Sequence, residues 1–406
     1  MNKKDAKKAP VLRFKGFTND WEQRKLSDET NRIRSYSISH GFEVAEDTGT
    51  KYIHYGDIHT GKVKNINNIN VLPNIEDNNY KPLKYGDVIV ADASEDYKGI
   101  ADACIVNTIS NSYKIVAGLH TIAFRPKSKL CSKFLYFYLS TDIFKHFGYK
   151  TGTGLKVFGI SYKELAKFKL KEPSATEQKK IVKLLFLIEK AIHLQQRKLR
   201  LLKLLKKATQ QNIFASTECL PKLKYRNLTG KWQLYRLKDV AKITMGQSPN
   251  SKNYTQNPID HILVQGNADI RNGYVFPRIW TTEITKIANR GDIILCVRAP
   301  AGDVGKTKFN VVIGRGVAAI KGNDFIFQQL QFMKSSGYWK KYISGSTFES
   351  INSNDIKNAK IFCPSQLEQK NISSLLDDID TSIQIQQKNI LDFKYIKQFL
   401  LQNMFI

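Results

Sequence analysis

Three short stretches of this chain carry residue types that could do chemistry. Asp96-Tyr97-Lys98, with Asp87 or Asp92 upstream, has the D-x-K order of a metal-dependent nuclease. In such a site carboxylates hold a divalent ion that activates water, and the lysine steadies the phosphate. The pattern is short and the other half of the chain shows no counterpart, so solvated loop charge is the better reading. Gly305-Lys306-Thr307 copies the end of a phosphate-binding loop. Its leading glycine falls on Pro300, however, and residues 308–313 read as strand instead of helix. Asn257-Pro258-Ile259-Asp260 lacks the second proline and the aromatic of an adenine methyltransferase's [DN]PP[YF]. The seven histidines include no HExxH, and there is no G-x-S-x-G elbow and no GxGxxG after a strand. The residues read as non-catalytic, with no metal site and no cofactor in this chain.

Charge points elsewhere. Lys and Arg number 64 against 36 Asp and Glu, a formal net charge of +28 over 406 residues. A field of that sign attracts polyanions and speeds their capture, and nucleic acid is the first candidate. An anionic membrane is a distant second, because no basic amphipathic segment carries flanking Trp or Phe anchors. No apolar run approaches the roughly 18 residues of a membrane span, and MNKKDAKKAP has no hydrophobic stretch behind its basic residues, so it reads poorly as a signal peptide. Cys104, Cys131, Cys219, Cys296 and Cys363 are odd in number and never in CxxC spacing, which fits reduced thiols in a cytoplasm. Aromatics, amides and basic groups sit together at Tyr52, Tyr55, Tyr97 and Lys98, and again at Gln265, Asn267, Arg271 and Arg298. Amide and guanidinium forks suit bidentate reading of adenine and guanine edges, and lysines suit phosphates. These eight are the candidate DNA-binding residues.

The elements that would carry them are written twice. PSATEQKKIVKLL begins at Pro173 and PSQLEQKNISSLL at Pro364, 191 residues apart. Trp21, Leu26 and Asp28 match Trp232, Leu237 and Asp239 at an offset of 211, and KYGDVIVADA around Gly86-Asp87 answers NRGDIILCVR around Gly291-Asp292. TGTGLKVFGIS (151–161) answers SGSTFESIN (344–352), and QNIF (211–214) answers QNMF (402–405). Each half is therefore a globular stretch followed by a helical one. The sequence divides into a basic tail (1–10), a first domain (11–172), a helix (173–214), a linker (215–220), a second domain (221–363) and a second helix (364–406). The globular parts read as mixed α/β, with Gly-Asp turns entering buried strands.

Ser174 followed by Glu177, and Ser365 followed by Glu368, have the S-x-x-E spacing of capping boxes. Behind the first cap, Ile181, Leu185, Ile188, Ile192, Gln195 and Leu199 alternate steps of four and three. Behind the second, Ile372, Leu376, Ile379, Ile383, Gln386 and Ile390 do the same. A mean spacing of 3.5 residues is a coiled-coil seam. The first helix (174–212) has ten basic and two acidic residues, the second (365–404) four and five. Antiparallel pairing sets the basic end of the first beside Asp377, Asp378 and Asp380, so the expected architecture is two pseudo-repeated α/β domains joined by two long antiparallel helices.

LRFKGFTNDWEQRKLSDE, the Gly-Asp strand entries and the twice-used P-S-x-x-E-Q-K opening resemble the specificity subunit of type I restriction–modification systems. The likeness covers nearly the whole chain. It implies two target-recognition domains that read the two parts of a split sequence in double-stranded DNA, with helices that set the gap. It also implies two modification subunits bringing S-adenosylmethionine and restriction subunits bringing ATP, Mg, translocation and cleavage. Two alternatives stay open at this point: a stand-alone tandem-domain DNA-binding regulator, and a metal-dependent nuclease built on Asp96 and Lys98.

Overall fold

The computed structural model describes residues 9–94, 100–108, 110, 112–154, 158–214, 221–223, 230–342 and 350–406. Asp96, Tyr97, Lys98, Cys219 and the SGST stretch lie outside the described residues. The chain divides into two compact units, one of residues 1–194 with 390–406 and one of residues 195–389.

In the first unit the central sheet runs Thr30–Ile33, Thr121–Pro126, Val88–Ala91, Ala103–Val106, Asn65–Ile66. Val88–Ala91 is buried at every position, as an uninterrupted V-I-V-A run covered on both faces must be. Gly86 brings the chain into it at φ +86°, where a Cβ would also stand 2.6 Å from Ser132 Oγ, so the turn requires glycine. Asp87 behind it is fully buried. Its carboxylate accepts the Lys84 amide at 2.7 Å and a two-pronged contact from Arg125 at 2.8 and 2.7 Å. A second sheet pairs Lys114–Ala117 in parallel with Thr50–Ile53.

The second unit repeats this plan. Its main sheet runs Lys242–Met245, Val317–Lys321, Ile293–Cys296, Val304–Lys306, Tyr274–Val275, Ile270–Arg271. Gly291 (φ +94°) leads into Ile293–Cys296, and Asp292 accepts the Asn289 amide at 2.8 Å. Val311–Ile313 lies parallel to His261–Val264. Lys306 ends a strand and pairs with Asp324, which leaves the Gly305-Lys306-Thr307 stretch without the helix a phosphate loop needs.

The spacer helices are Ala175–Phe214, 40 residues, and Gln366–Asn403, 38 residues. At 1.5 Å per residue the first is about 60 Å long. The expected capping boxes form only by half. Ser174 Oγ accepts the Glu177 amide at 3.4 Å and Ser365 Oγ the Glu368 amide at 3.4 Å. The carboxylates turn outward to tertiary partners: Arg13 grips Glu177 at 2.7 and 2.9 Å, and Trp232 Nε1 donates to Glu368 at 3.3 Å. The glutamine of each repeated E-Q finishes the job. Gln178 Nε2 donates to the Pro173 carbonyl at 3.0 Å while its oxygen accepts the Cys131 amide at 2.8 Å. Gln369 Nε2 donates to the Pro364 carbonyl at 3.0 Å while its oxygen accepts from Asn323 at 2.8 Å. Cys131 and Asn323 are the N-caps of the helices Ser132–Leu139 and Asp324–Ser335. The repeated motif thus docks each spacer helix onto the helix start beside it.

The first layers of each helix belong to a domain core as much as to a seam. Ile181, Leu185 and Ile188 pack in one cluster with Trp21, Phe134, Leu400, Met404 and Phe405. Ile372, Leu376 and Ile379 pack with Ile213, Phe214, Trp232 and Phe325. Ile192, Gln195 and Leu199, like Ile383, Gln386 and Ile390, are buried or half-buried, and Leu194, Leu201 and Ile385 beside them are exposed. Pairing is antiparallel in each unit. Lys206 near the end of the first helix meets Asp380 near the start of the second at 2.6 Å, and Lys397 meets Glu189 at 2.6 Å. Asp377 instead accepts from Gln328 at 2.8 Å. In the second unit Gln386 Nε2 donates to Gln195 Oε1, and Gln386 is only 3% exposed.

An amide stranded by loss of its partner carries the full cost of desolvation, whereas replacing both by apolar groups is close to neutral. Gln195→Leu alone should therefore destabilise the protein by about 1–3 kcal/mol, and Gln195→Leu with Gln386→Leu should recover most of that loss. Denaturant unfolding of the two single variants and the double checks it. Additive losses would show that the two amides do not act as a pair.

Candidate nucleic-acid interface

Both units build one feature from four non-contiguous segments. In the second unit the Gln247 amide donates to the Ile313 carbonyl at 2.8 Å, Gly314 to Val264 at 2.8 Å, and Val297 to Gly316 at 2.9 Å. In the first, Tyr36 donates to Ala117 at 2.9 Å, Gly118 to Ile53 at 2.9 Å, and Asp92 to His120 at 3.0 Å. Strand ends and the turn that follows Val311–Ile313 or Lys114–Ala117 are thereby tied into a single junction. Glycine is required there because the backbones touch. A Cβ on Gly246 would lie 2.1 Å from the Gly314 carbonyl oxygen, and one on Gly316 would lie 2.0 Å from that of Gln265.

On this floor in the second unit opens a cleft of about 760 Å³, lined among others by Gln247, Asn250, Tyr254, Gln265, Arg298 and Arg315. Arg298 and Arg315 are exposed, and neither guanidinium has an ion-pair or hydrogen-bond partner among the described residues. Their anchorage is through the main chain: the Arg315 amide donates to Ser248 Oγ at 3.0 Å, and Arg298 bridges to Ser350. Asp269 holds the Gln265 and Gly266 amides at 2.8 and 3.2 Å and so fixes where Gln265 starts.

The corresponding place in the first unit carries different side chains. Tyr55 packs on His54 with ring centroids 4.5 Å apart and stands edge-on to His120 at 5.3 Å. His120 Nδ1 lies 3.2 Å from Asp92. Burial pushes the Asp92 carboxyl up despite His120 and Arg32, and burial together with His40 pulls His54 down.

Of the residues singled out in sequence, Gln265 and Arg298 come together in the cleft, and Tyr55 stands at the matching junction. Asn267 is exposed in the short turn Asn267–Asp269. Arg271 is exposed too, but its guanidinium covers the Phe276 ring at 4.0 Å. Tyr52 does not face solvent at all. Its ring is fully buried and its hydroxyl donates to Glu43 at 2.8 Å, which removes it from the candidates for direct contact. Tyr97 and Lys98 lie outside the described residues. Asp87, upstream of the D-x-K stretch, is held by Arg125, and among the described residues no group of three or more His, Cys, Asp or Glu could hold a metal ion. Arg315 was missed. A lone charge in Gly314-Arg315-Gly316 was its only signal.

The profile of the type I restriction modification DNA specificity domain matches residues 18–204 and 229–392. The chain belongs to this family. A protein of Methanocaldococcus jannaschii assigned as the type I restriction enzyme MjaX specificity subunit is 28% identical over 292 residues, 68% of this chain and 67% of that protein. The MjaIX specificity subunit of the same organism is 26% identical over 189 residues, 43% of this chain and 44% of its own length. Two solved structures share the fold. The S subunit of a type I restriction–modification system from M. genitalium superposes with a TM-score of 0.63 at 12% identity, covering 98% of this chain and 99% of that one. A chain from a study of type I complex assembly and conformational transition gives 0.59 at 21%, covering 94% and 96%. Among the described residues no helix is long and apolar enough to cross a membrane.

In this specificity chain the first junction is braced from behind by His59. Its Nε2 lies 2.7 Å from the Ala93 carbonyl and its Nδ1 3.1 Å from Asp102, which Lys145 also contacts. Two oxygen acceptors suit a doubly protonated ring. Burial alone would lower the His59 pKa, but the Asp102 and Ala93 contacts outweigh it and the net shift is upward. Asp102 moves downward, because His59 and Lys145 outweigh its burial. A raised histidine contributes stability that is complete below its unfolded value of about 6.5 and is lost as pH rises through the folded value. A lowered aspartate contributes above its unfolded value of about 3.9 and loses that as pH falls. The trio should thus stabilise most in mildly acidic solution. The Tm gap between wild type and His59→Gln should be widest near pH 5.5–6.5 and narrow toward pH 9, as thermal scans across pH will show; a gap that widens in alkali would refute the assignment.

Proposed function

We propose that this chain is the DNA-recognition subunit of a type I restriction–modification complex, non-catalytic in itself, that reads a two-part target with its two domains. The duplicated junction carries this reading: two units present different hydrogen-bonding side chains from the same backbone scaffold, as two readers of different sequences would. The charge of +28 supports it, since phosphate neutralisation supplies most of the affinity for duplex DNA. Family membership and the specificity-subunit relatives favour it over a stand-alone regulator or a nuclease.

Partners bring the chemistry in this proposal: two modification subunits carrying S-adenosylmethionine, and restriction subunits carrying ATP and Mg, in the cytoplasm. The spacer helices leave apolar side chains for them. Leu187, Leu194, Tyr395 and Phe399 are all about half exposed or more in the first unit, as are Leu201, Leu204, Leu205 and Ile385 in the second. An apolar helix face of this kind takes up another helix. Co-expressed with a modification subunit, the chain should direct adenine methylation to one split sequence, and the purified chain should neither cut nor methylate. Metal-dependent cleavage abolished by Asp96→Ala would promote the nuclease reading.

Helix length should set the gap in the target. The first helix begins in one unit and ends in the other. Its last turn is fixed by Gln210, Ile213 and Phe214, all buried, so added residues belong after Leu194, with an equal addition after Asn389. Four residues advance a helix by about 6 Å and turn it about 400°, a net 40°. One or two base pairs advance DNA by about 3.4–7 Å and turn it about 34–69°. The two screws match, and a four-residue stutter is tolerated in a heptad seam. This variant should methylate sites whose gap is longer by one or two base pairs, whereas a two-residue insertion, turned by about 200°, should methylate poorly at any gap. A methylation assay over a panel of gap lengths reads both; an unchanged preference would rule the helices out as the ruler.

A further inference from the structure

The basic side chains of the second unit are not equivalent. Lys206 is held by Asp380, Lys306 by Asp324 and Lys334 by Asp303, while Arg278 leans on Asp269 and Arg271 on Phe276. Arg298 and Arg315 stand apart from these, exposed at one cleft with Gln265, and the turn that bears Arg315 is bonded on one side to Val264 and on the other to Val297. An arginine fork without a carboxylate keeps all its donors for a planar acceptor pair. Its base, moreover, is rigid. The three backbone hydrogen bonds of the junction and the glycine contacts beneath them fix the points from which these side chains extend, and fixed starting points are what discrimination by geometry needs.

We propose that this junction is where each recognition domain reads base-pair edges, with Gln265, Arg298 and Arg315 as the readers in the second domain and Tyr55, Asp92 and His120 at the matching position in the first. The proposal deepens the DNA-recognition reading and rests on it. The second domain's set is matched to purine edges in the major groove: a glutamine amide pairs with N6 and N7 of adenine, and a guanidinium with O6 and N7 of guanine. The first domain's set is chemically distinct. A carboxylate accepts from cytosine N4, while the imidazole and phenol can each donate or accept. One scaffold with two side-chain sets gives two different half-sequences. Asp269 is a positioning residue in this arrangement, because its buried carboxylate holds the Gln265 and Gly266 amides and meets Arg278, and it does not line the cleft.

The experiment uses the full chain co-expressed with its modification subunit and maps methylated adenines across the host genome. Gln265→Ala, Arg298→Ala and Arg315→Ala should each relax one or two positions in one part of the target. Discrimination at those positions should fall about tenfold or more, with the other part read as before. Tyr55→Ala and His120→Ala should relax the other part only. Asp269→Asn should weaken the same positions as Gln265→Ala, and Arg315→Lys should not restore them, since an ammonium lacks the fork. Variants whose target sequence is unchanged would overturn the proposal. So would variants that weaken methylation equally at every site and bind all duplexes equally poorly while unfolding at the wild-type temperature, because that is the behaviour of phosphate contacts. The wild-type chain separates the two levels: if it directs methylation to a split sequence and the junction variants leave that sequence intact, recognition stands and this assignment falls. If the wild-type chain directs none, the recognition reading falls and takes the assignment with it.

Discussion

One closure, made twice, constrains everything else in the molecule. The Leu12 amide donates to the Asn403 carbonyl at 2.8 Å, and the Leu223 amide donates to the Asn212 carbonyl at 3.0 Å. In each case the last turn of a spacer helix is tied to the chain entering a domain. Around the first closure Phe405 packs on Trp21, Phe134 and Tyr138; around the second Phe214 packs on Phe325 and Phe332. Each unit therefore holds the start of one helix and the end of the other. Two helices so held within a unit must run oppositely there, and the ion pairs Lys206–Asp380 and Lys397–Glu189 sit where that direction puts them. Direction follows from docking first and from charge second, because an isolated half-buried pair contributes little by itself.

The same docking explains why the helices do not behave as a free coiled coil. Their first three layers are shared with domain cores, so apolar burial at Ile181, Leu185 or Leu376 stabilises a domain and a helix pair together. Only the middle layers are left to specify register, and there Gln195 and Gln386 meet. A polar contact in an apolar seam lowers stability relative to leucine and penalises slippage, since a shifted register would bury an amide without a partner.

What could be read from sequence was local or periodic. The four-three alternation in both helices, the Gly86-Asp87 and Gly291-Asp292 turns and the doubled order of segments all act over a few residues, and all are visible as patterns. The readings that needed tertiary knowledge fared worse. Glu177 and Glu368 have the spacing of capping boxes, yet Arg13 and Trp232 compete for their carboxylates from more than a hundred residues away. Tyr52 lies in Lys-Tyr-Ile-His, which shows no alternation, because the strand Thr50–Ile53 is buried on both faces. Nothing local distinguishes its ring from the half-exposed ring of Tyr55. Arg315 was invisible for a related reason: its significance comes from the meeting of the segments around Gln247, Gln265 and Arg298.

That meeting also separates what the fold must keep from what it is free to vary. The junction is held by main-chain hydrogen bonds and by glycines at points of contact, and neither depends on the identity of the outward side chains. In the second unit those side chains are exposed or half-buried, so replacing them removes little buried area and few contacts. Exposed positions away from caps and cores change stability only slightly. The contrast between Gln265, Arg298 and Arg315 on one scaffold and Tyr55, Asp92 and His120 on the other is the physical consequence. A reader whose stability resides in backbone and core can exchange the residues that face its target without losing the surface that presents them.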